Sequence, residues 1–268
     1  MLKQEQEDNK KKERELGLKK MEASVLFLNQ VPFCYQEKGE IKGIEADILR
    51  MFSEWTLGKK NIEIALKFEP YSNFEKFIDA VALGNTMVIG AGTVSIKENR
   101  LKDLQFSPPY MNNVSVMITN GTIPTINNKG DVRSVLKSMK AIVTKDAVHV
   151  SYIEDLKKQY LPELEIEYSS NPLSVIETIG SDTRYFGYVD IITFWQYLKT
   201  SDRYIKMQRI FNVKDEKFAF VLPKNAEFQG LLTEFFDSGF GFTSTIAYRS
   251  ILEKYLGYEV ISTVAIEN

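Results

Sequence analysis

Apolar and polar positions change rhythm from one stretch of this chain to the next. Ser24-Val25-Leu26-Phe27-Leu28 is a short apolar run of the kind a buried strand makes, and Ile62 to Phe68 alternates with the two-residue period of a strand. Between them Val31-Pro32-Phe33-Cys34-Tyr35 contains a proline that breaks regular pairing, and Ile41-Lys42-Gly43-Ile44 leads into a helix through Met51, Phe52 and Trp55. Ser72-Asn73-Phe74-Glu75 has the form of a capping box with Glu75 at the third helical position. Phe74, Phe77, Ile78 and Val81 follow at i, i+3, i+4 and i+7, one apolar helix face. Met87 to Thr93 reads as a strand ending in Gly90-Ala91-Gly92-Thr93, small residues that leave the backbone open to close approach.

A second series repeats the alternation. Ala141 to Thr144 is a short apolar strand, followed by a helix through Tyr152, Ile153, Leu156 and Tyr160. Leu164 to Tyr168 alternates, and Asn171-Pro172 reads as a cap with proline first, opening a helix with Val175, Ile176 and Ile179 inward. Phe186 to Asp190 is a strand ending in an acid, before a helix carrying Trp195 and Leu198; Phe218 to Leu222 is a last strand, before two helices ending at Tyr255-Leu256-Gly257. Strands alternating with helices predict a mainly parallel α/β fold.

The first twenty residues stand apart: seven are basic, five acidic, and few are apolar, which predicts a charged linker or tether over 1–22 that adds little to any core. Elsewhere composition narrows function by exclusion. The chain has 268 residues, a net charge of −2 and a pI near 5.7, so no basic field argues for nucleic acid. No apolar run is long enough to span a bilayer, so any membrane association is expected only through the tether. One cysteine, Cys34, excludes an intrachain disulfide. One histidine, His149, leaves no cluster with metal-ligand spacing, and no phosphate loop or nucleophile elbow is present, so no metal, cofactor or catalytic residue is assigned. His149 beside Ser151 has the residue types of half a hydrolase pair, although a histidine on a helix face is ordinarily structural.

The stretch with most chemistry is Ser95 to Tyr110, SIKENRLKDLQFSPPY. A Ser and an Arg at the mouth of the Gly-Ala-Gly-Thr strand can hold a carboxylate, the guanidinium with two parallel donors. Alternatively Arg100 is a surface residue paired with Asp103 or Glu98. This stretch resembles the signature of family-3 extracellular solute-binding proteins, in which a strand leads into Thr-Ile-Thr-x-x-Arg and then a Phe-Ser-x-Pro-Tyr-like ending. Pro32-Phe33 before a Gly turn, Gly43-Ile44-Glu45-Ala46-Asp47-Ile48 and Lys254-Tyr255-Leu256-Gly257 extend the resemblance over roughly 24–257.

The resemblance implies a two-lobed periplasmic-binding-protein fold of type II with a discontinuous first lobe: 23–112 and 211–268 in one lobe, 113–210 in the other, with the Val114 and Phe218 segments as hinge crossings. It implies that Arg100 grips a ligand carboxylate beside the Ser95 hydroxyl, that the Thr93 carbonyl accepts from an amino group, that Phe74 packs on the ligand, and that Phe33 belongs to the binding set. Asp190 would pair with a ligand ammonium. Phe74 as a core residue of its helix and Asp190 as a plain helix cap are the plainer readings. Two positions depart from the pattern: Lys97 replaces the second Thr, and Asp146-Ala147-Val148 stands where Gly-Thr-Thr or Gly-Ser-Thr is usual, removing hydroxyls from the second lobe.

The expected role is an extracytoplasmic, monomeric binder of an amino acid or related carboxylate, serving an ABC-transporter permease or a membrane receptor. The alternatives are a cyclohexadienyl-dehydratase-like enzyme on the same fold and a ligand-sensing module of a receptor or lytic transglycosylase.

Overall fold

The computed structural model describes residues 17–266. In chain order the elements are β1 (Lys19–Leu28), β2 (Tyr35–Glu37), β3 (Glu40–Lys42), α1 (Ile44–Lys60), β4 (Ile62–Tyr71), α2 (Phe74–Ala82), β5 (Val88–Ser95), β6 (Leu104–Phe106) and β7 (Met111–Asn120). Next come α3 (Val132–Leu136), β8 (Lys140–Thr144), α4 (His149–Tyr160), β9 (Ile166–Ser169), α5 (Pro172–Ser181), β10 (Tyr185–Asp190), α6 (Ile191–Thr200) and β11 (Ile205–Met207). The chain then runs through β12 (Val213–Pro223), α7 (Phe228–Asp237), α8 (Ile246–Leu256) and α9 (Tyr258–Val264).

One path of strands, β4-β1-β5-β12-β7-β10-β8-β9, runs through both lobes. At one end β1 lies parallel to β4 and β5; at the other, β8 lies parallel to β10 and β9. Between these parallel sets, β7 and β12 pair antiparallel with each other. The chain therefore leaves the first lobe along β7 and returns along β12, which makes that lobe discontinuous.

The unbroken apolar run of β1 is explained by burial on both faces. Val25 and Phe27 enter one hydrophobic cluster with Phe52, Phe218 and Phe220, while Leu26 and Leu28 enter another with Phe77 and Val221. A third cluster, around Val143, Ile153 and Phe186, lies in the second lobe, where the first cluster also continues through Val175, Ile179 and Val189. Fully burying one such side chain is worth roughly 1.5–3 kcal/mol, so these clusters hold each lobe's shape.

Two local expectations are corrected. The charged range expected over 1–22 lies outside the described residues up to residue 16, but β1 already starts at Lys19. Ladder hydrogen bonds need no apolar side chains, and the exposed pairs Lys20–Glu63 (3.4 Å) and Lys67–Glu22 (2.8 Å) tie β1 to β4 there. At α2 the N-cap is Asn73, whose Oδ1 accepts from the Lys76 N–H at 2.8 Å. Glu75 is then free to reach Lys145 of the second lobe at 2.6 Å rather than close a capping box.

Candidate functional site

Five of the six residues singled out for binding wall one cavity between the lobes. Thr93 and Ser95 come from the end of β5, Arg100 from the turn after it, and Phe74 from the start of α2. Asp190 faces them from the end of β10, with Thr144, Ala147, Val148, His149 and Pro172 completing the second-lobe wall. The walls lie close together and enclose about 20 Å³, the space of roughly one water.

Arg100 does not pair with Asp103 or Glu98. One terminal nitrogen donates to the Ser95 carbonyl at 3.0 Å and the other to the Asp146 carbonyl of the opposite lobe at 2.7 Å. Its guanidinium carbon lies 5.5 Å from the centre of the Phe74 ring, close enough for a cation–π contact. Phe74 packs against Phe77 at 6.3 Å in the core, as the plainer reading has it, and also lines the cavity beside Arg100. Asp146 adopts a positive φ of 59°, a conformation that Asp tolerates better than most residues and that suits a position where glycine is usual.

Thr93 also has a positive φ, 52°, which is strained for a β-branched residue. The strain, on the order of 1–3 kcal/mol, coincides with a register shift between β5 and β12. Glu45 holds the irregularity in place: its Oε1 accepts from the Thr93 N–H at 3.1 Å and from the Tyr110 hydroxyl at 2.6 Å. Burial pushes the Glu45 carboxyl up to about 7, against those hydrogen bonds.

Behind the cavity lies a buried polar network that the sequence did not reveal. Glu216, on β12, accepts from Ser95 Oγ at 2.8 Å and from the Tyr152 hydroxyl at 2.8 Å. Asn113, on β7, donates to Asp190 Oδ1 at 2.5 Å. Lys97 reaches across to the Tyr152 hydroxyl at 3.3 Å, so the cation that replaces a threonine ties the lobes together. Burial raises the Glu216 carboxyl, but the nearby His149 and hydrogen bonds from Ser115, Tyr152 and Ser95 outweigh it and leave the group below its ordinary range.

Glu216 sits in the run Lys214-Asp215-Glu216-Lys217, which reads as a solvated turn. The available signal is the two-residue period of the strand, which puts it on the same face as Phe218 and Phe220. His149 shares a helix face with Ile153 and Leu156 and is equally buried.

His149 is not half of a hydrolase pair. Ser151 Oγ donates instead to the Val148 carbonyl, while His149 Nε2 lies 2.9 Å from Ser115 Oγ and 3.6 Å from Asp190 Oδ1. Both neighbours meet the same ring nitrogen, whereas a Ser-His-Asp relay needs them on opposite nitrogens. The other ring nitrogen, Nδ1, and the Thr144 hydroxyl are buried on this wall with no hydrogen-bond partner among the described residues. They supply polar capacity where Ala147 and Val148 have none.

Asp190 occupies the N-cap position of α6, but its side chain makes no capping bond and turns to Asn113. Phe33 is the exception among the expected site residues. It is fully buried in the first-lobe core, edge-on to Phe218 at 5.7 Å, and does not line the cavity. Its carbonyl accepts from the Glu45 N–H at 2.8 Å, and a Cβ on Gly43 would stand only 2.1 Å from that oxygen. The close approach of this loop to the start of α1 turns the ring inward, away from the cleft.

The profile of the bacterial extracellular solute-binding proteins, family 3, matches residues 25–257. The chain belongs to that family. Solved structures of like fold include an ancestral arginine-binding protein bound to arginine, with a TM-score of 0.69 and 18% identity over 88% of this chain and 98% of that one. The arginine-, lysine-, histidine-binding protein ArtJ from Geobacillus stearothermophilus gives a TM-score of 0.67 and 18% identity, covering 90% of this chain and 98% of that one. These likenesses establish the two-lobed type II periplasmic-binding-protein fold. In sequence, the membrane-bound lytic murein transglycosylase F of Pseudomonas putida (strain GB-1) is 26% identical over 156 residues, which is 58% of this chain but only 30% of that protein. Among the described residues, no helix is long and apolar enough to cross a membrane, and no cluster of His, Cys, Asp and Glu could hold a metal ion.

Proposed function

We propose that this family-3 member captures a small carboxylate-bearing ligand, an amino acid or a close relative, between a first lobe that begins with β1 at Lys19, runs to about residue 112 and resumes at about 211, and a second lobe of 113–210. The observation that carries the reading is the placement of Arg100 and Asp190 on opposite walls of one cavity. A guanidinium facing a carboxylate across a cleft suits a zwitterion, and exclusion of water on closure strengthens both pairings.

The lobes must part to admit the ligand, since the walls enclose only about 20 Å³. In the open form the Arg100 bond to the Asp146 carbonyl and the Lys145–Glu75 pair are released. On closure the ligand contacts both lobes at once, which is why binding favours the closed form. Arg100 holds the carboxylate over Phe74, the Thr93 carbonyl and Asp190 receive an amino group, and His149 and Thr144 offer hydrogen-bonding atoms in place of the missing hydroxyls. The protein has no catalysis of its own in this reading. It works outside the cytoplasmic membrane as a monomer and passes its ligand to an ABC-transporter permease or signals to a membrane receptor.

The test is calorimetry with amino acids and small organic acids on the wild type and on Arg100→Ala. Loss of one charge-assisted contact removes about 1.5–3 kcal/mol, roughly a ten- to hundredfold loss of affinity. Unchanged affinity in a folded Arg100→Ala protein sinks the assignment.

A further inference from the structure

We infer that His149 determines which amino group the cleft accepts: its Nδ1 is a third acceptor for the ligand, so the site selects a primary ammonium over a secondary one. This rests on the reading that Arg100 takes a carboxylate and Asp190 the adjoining ammonium.

The position of the ring proton follows from the groups around it. His149 is the first residue of α4 and is 3% exposed. Its Nε2 lies 2.9 Å from Ser115 Oγ, on β7, and 3.6 Å from Asp190 Oδ1, on β10. Ser115 gives its one hydroxyl proton to Glu216, which leaves it only lone pairs to turn toward the ring. Both groups facing Nε2 are therefore acceptors, and Nε2 carries the proton. In the neutral ring the other nitrogen, Nδ1, is then an acceptor. Tyr188 helps to fix the ring plane. The two rings stack at 14° with centroids 6.4 Å apart, and the Tyr188 hydroxyl is itself tied to the Phe211 carbonyl at 2.9 Å.

Nδ1 is buried, has no partner among the described residues, and belongs to a residue that lines the cavity with Asp190 and Thr93. A buried acceptor left unpaired is costly, so a ligand donor that meets it is favoured. The Thr144 hydroxyl is equally buried and unpartnered, but a hydroxyl donates or accepts as required and so selects neither. Nδ1 has no such choice. It cannot take the ligand carboxylate, since both offer only lone pairs, and that group stays with Arg100. A primary ammonium brings three N–H donors: Asp190 and the Thr93 carbonyl receive two, and Nδ1 receives the third. A secondary ammonium, as in N-methylalanine, has only two and must turn its methyl group toward one of the three acceptors.

The experiment has two arms. The chain has a single histidine, so full-length protein labelled with ¹⁵N-histidine presents one ring to NMR. At pH 8 the free protein should carry a proton on Nε2 and none on Nδ1, and added alanine should move the Nδ1 signal as that atom accepts a bond. A proton on Nδ1, or an Nδ1 signal that bound alanine leaves in place, overturns the inference. In the second arm, calorimetry at the same pH compares alanine with N-methylalanine. Wild type should bind alanine about ten- to a hundredfold more tightly, the scale of one hydrogen bond to a charged group. His149→Leu keeps bulk but no acceptor and should bring the two ligands close to equal. His149→Asn, whose amide oxygen can stand near the position of Nδ1, should restore the preference. A preference unchanged in His149→Leu comes from bulk alone and overturns the inference; if neither variant folds, the NMR arm on wild type decides. Arg100→Ala separates this inference from the reading beneath it. If that change weakens alanine while either arm fails, only the role of His149 falls. If alanine does not bind, or binds Arg100→Ala as tightly as wild type, the carboxylate reading falls and this inference with it.

Discussion

Ser95 donates its hydroxyl to Glu216 at 2.8 Å, across the β5–β12 ladder, so the side chain expected to serve a ligand is also held by a buried carboxylate of the protein. Tyr152, from the second lobe, donates to the other oxygen of the same carboxylate. Glu216 therefore joins β5 of one lobe to α4 of the other, and it does so from β12, one of the two strands that cross between them. A hydroxyl has a single proton, so while Ser95 gives it to Glu216 it presents only lone pairs to the cavity, and it can donate to a ligand carboxylate only by releasing that bond.

Glu216→Gln tests that connection. The amide keeps the shape but loses charge-assisted bonds, and the expected cost is about 1.5–3 kcal/mol at pH 7, measured by urea denaturation. The Glu216 carboxyl lies below its ordinary 4.5 in the folded state, so its stabilisation is present above that value and is lost as pH falls through the folded one. The gap between wild type and variant should accordingly narrow as the pH falls below 4.5 and through the lowered folded value. A gap that stays constant from pH 7 to pH 3 contradicts the account.

Glu45 should act in the opposite direction. Its carboxyl is raised by burial from 4.5 to about 7, so the folded state holds the proton more tightly than the unfolded chain. That contribution is complete below pH 4.5 and is lost as pH rises to about 7, on the order of 3 kcal/mol at roughly 1.4 kcal/mol per pH unit. Glu45→Gln keeps an Oε1 acceptor for Thr93 and Tyr110 and removes the titration. The variant should match the wild type near pH 4.5 and exceed it at pH 8, as read from urea midpoints at pH 4.5, 6 and 8. Parallel pH profiles for the two proteins would assign the effect elsewhere.

What could be read from the sequence was mostly local. The Phe74-Phe77-Ile78-Val81 face and the Asn171-Pro172 cap need only their own neighbours in the chain, and both form as expected: all but Ile78 of that face are buried, and Asn171 accepts from the Ser174 N–H at 2.9 Å. Arg100 and Asp190 came from a matched pattern, because nothing local says that residues ninety positions apart face one cavity. Glu216 is not singled out by the sequence, and His149 is read there only beside Ser151 or as structural, because their setting is created by β7, β12 and α4 coming together. A carboxylate in a charged run and a histidine on a helix look ordinary until that packing encloses them. Phe33 failed for the same reason in reverse: its loop folds onto Gly43 and the start of α1, and this contact turns the ring into the core.

Under the proposed function, Asp190 is the residue expected to discriminate between amino-bearing and other carboxylates. Its Oδ1 takes the Asn113 amide at 2.5 Å and stands 3.6 Å from His149 Nε2, so the acid is held in place without forming a cap. Asp190→Asn keeps an oxygen for Asn113 and removes the charge that would face a ligand ammonium. For a zwitterionic ligand such as alanine, affinity should fall about ten- to a hundredfold, the scale of one charge-assisted bond. For a carboxylate with no amino group the same change should be neutral or favourable, since an acid near an anion repels it. Calorimetry of both ligand types on both proteins, with melting temperatures confirming an intact fold, separates the cases. If the amino-bearing ligands bind the variant as tightly as the wild type, Asp190 is not their counter-ion and the zwitterion reading is lost, whatever Arg100 does.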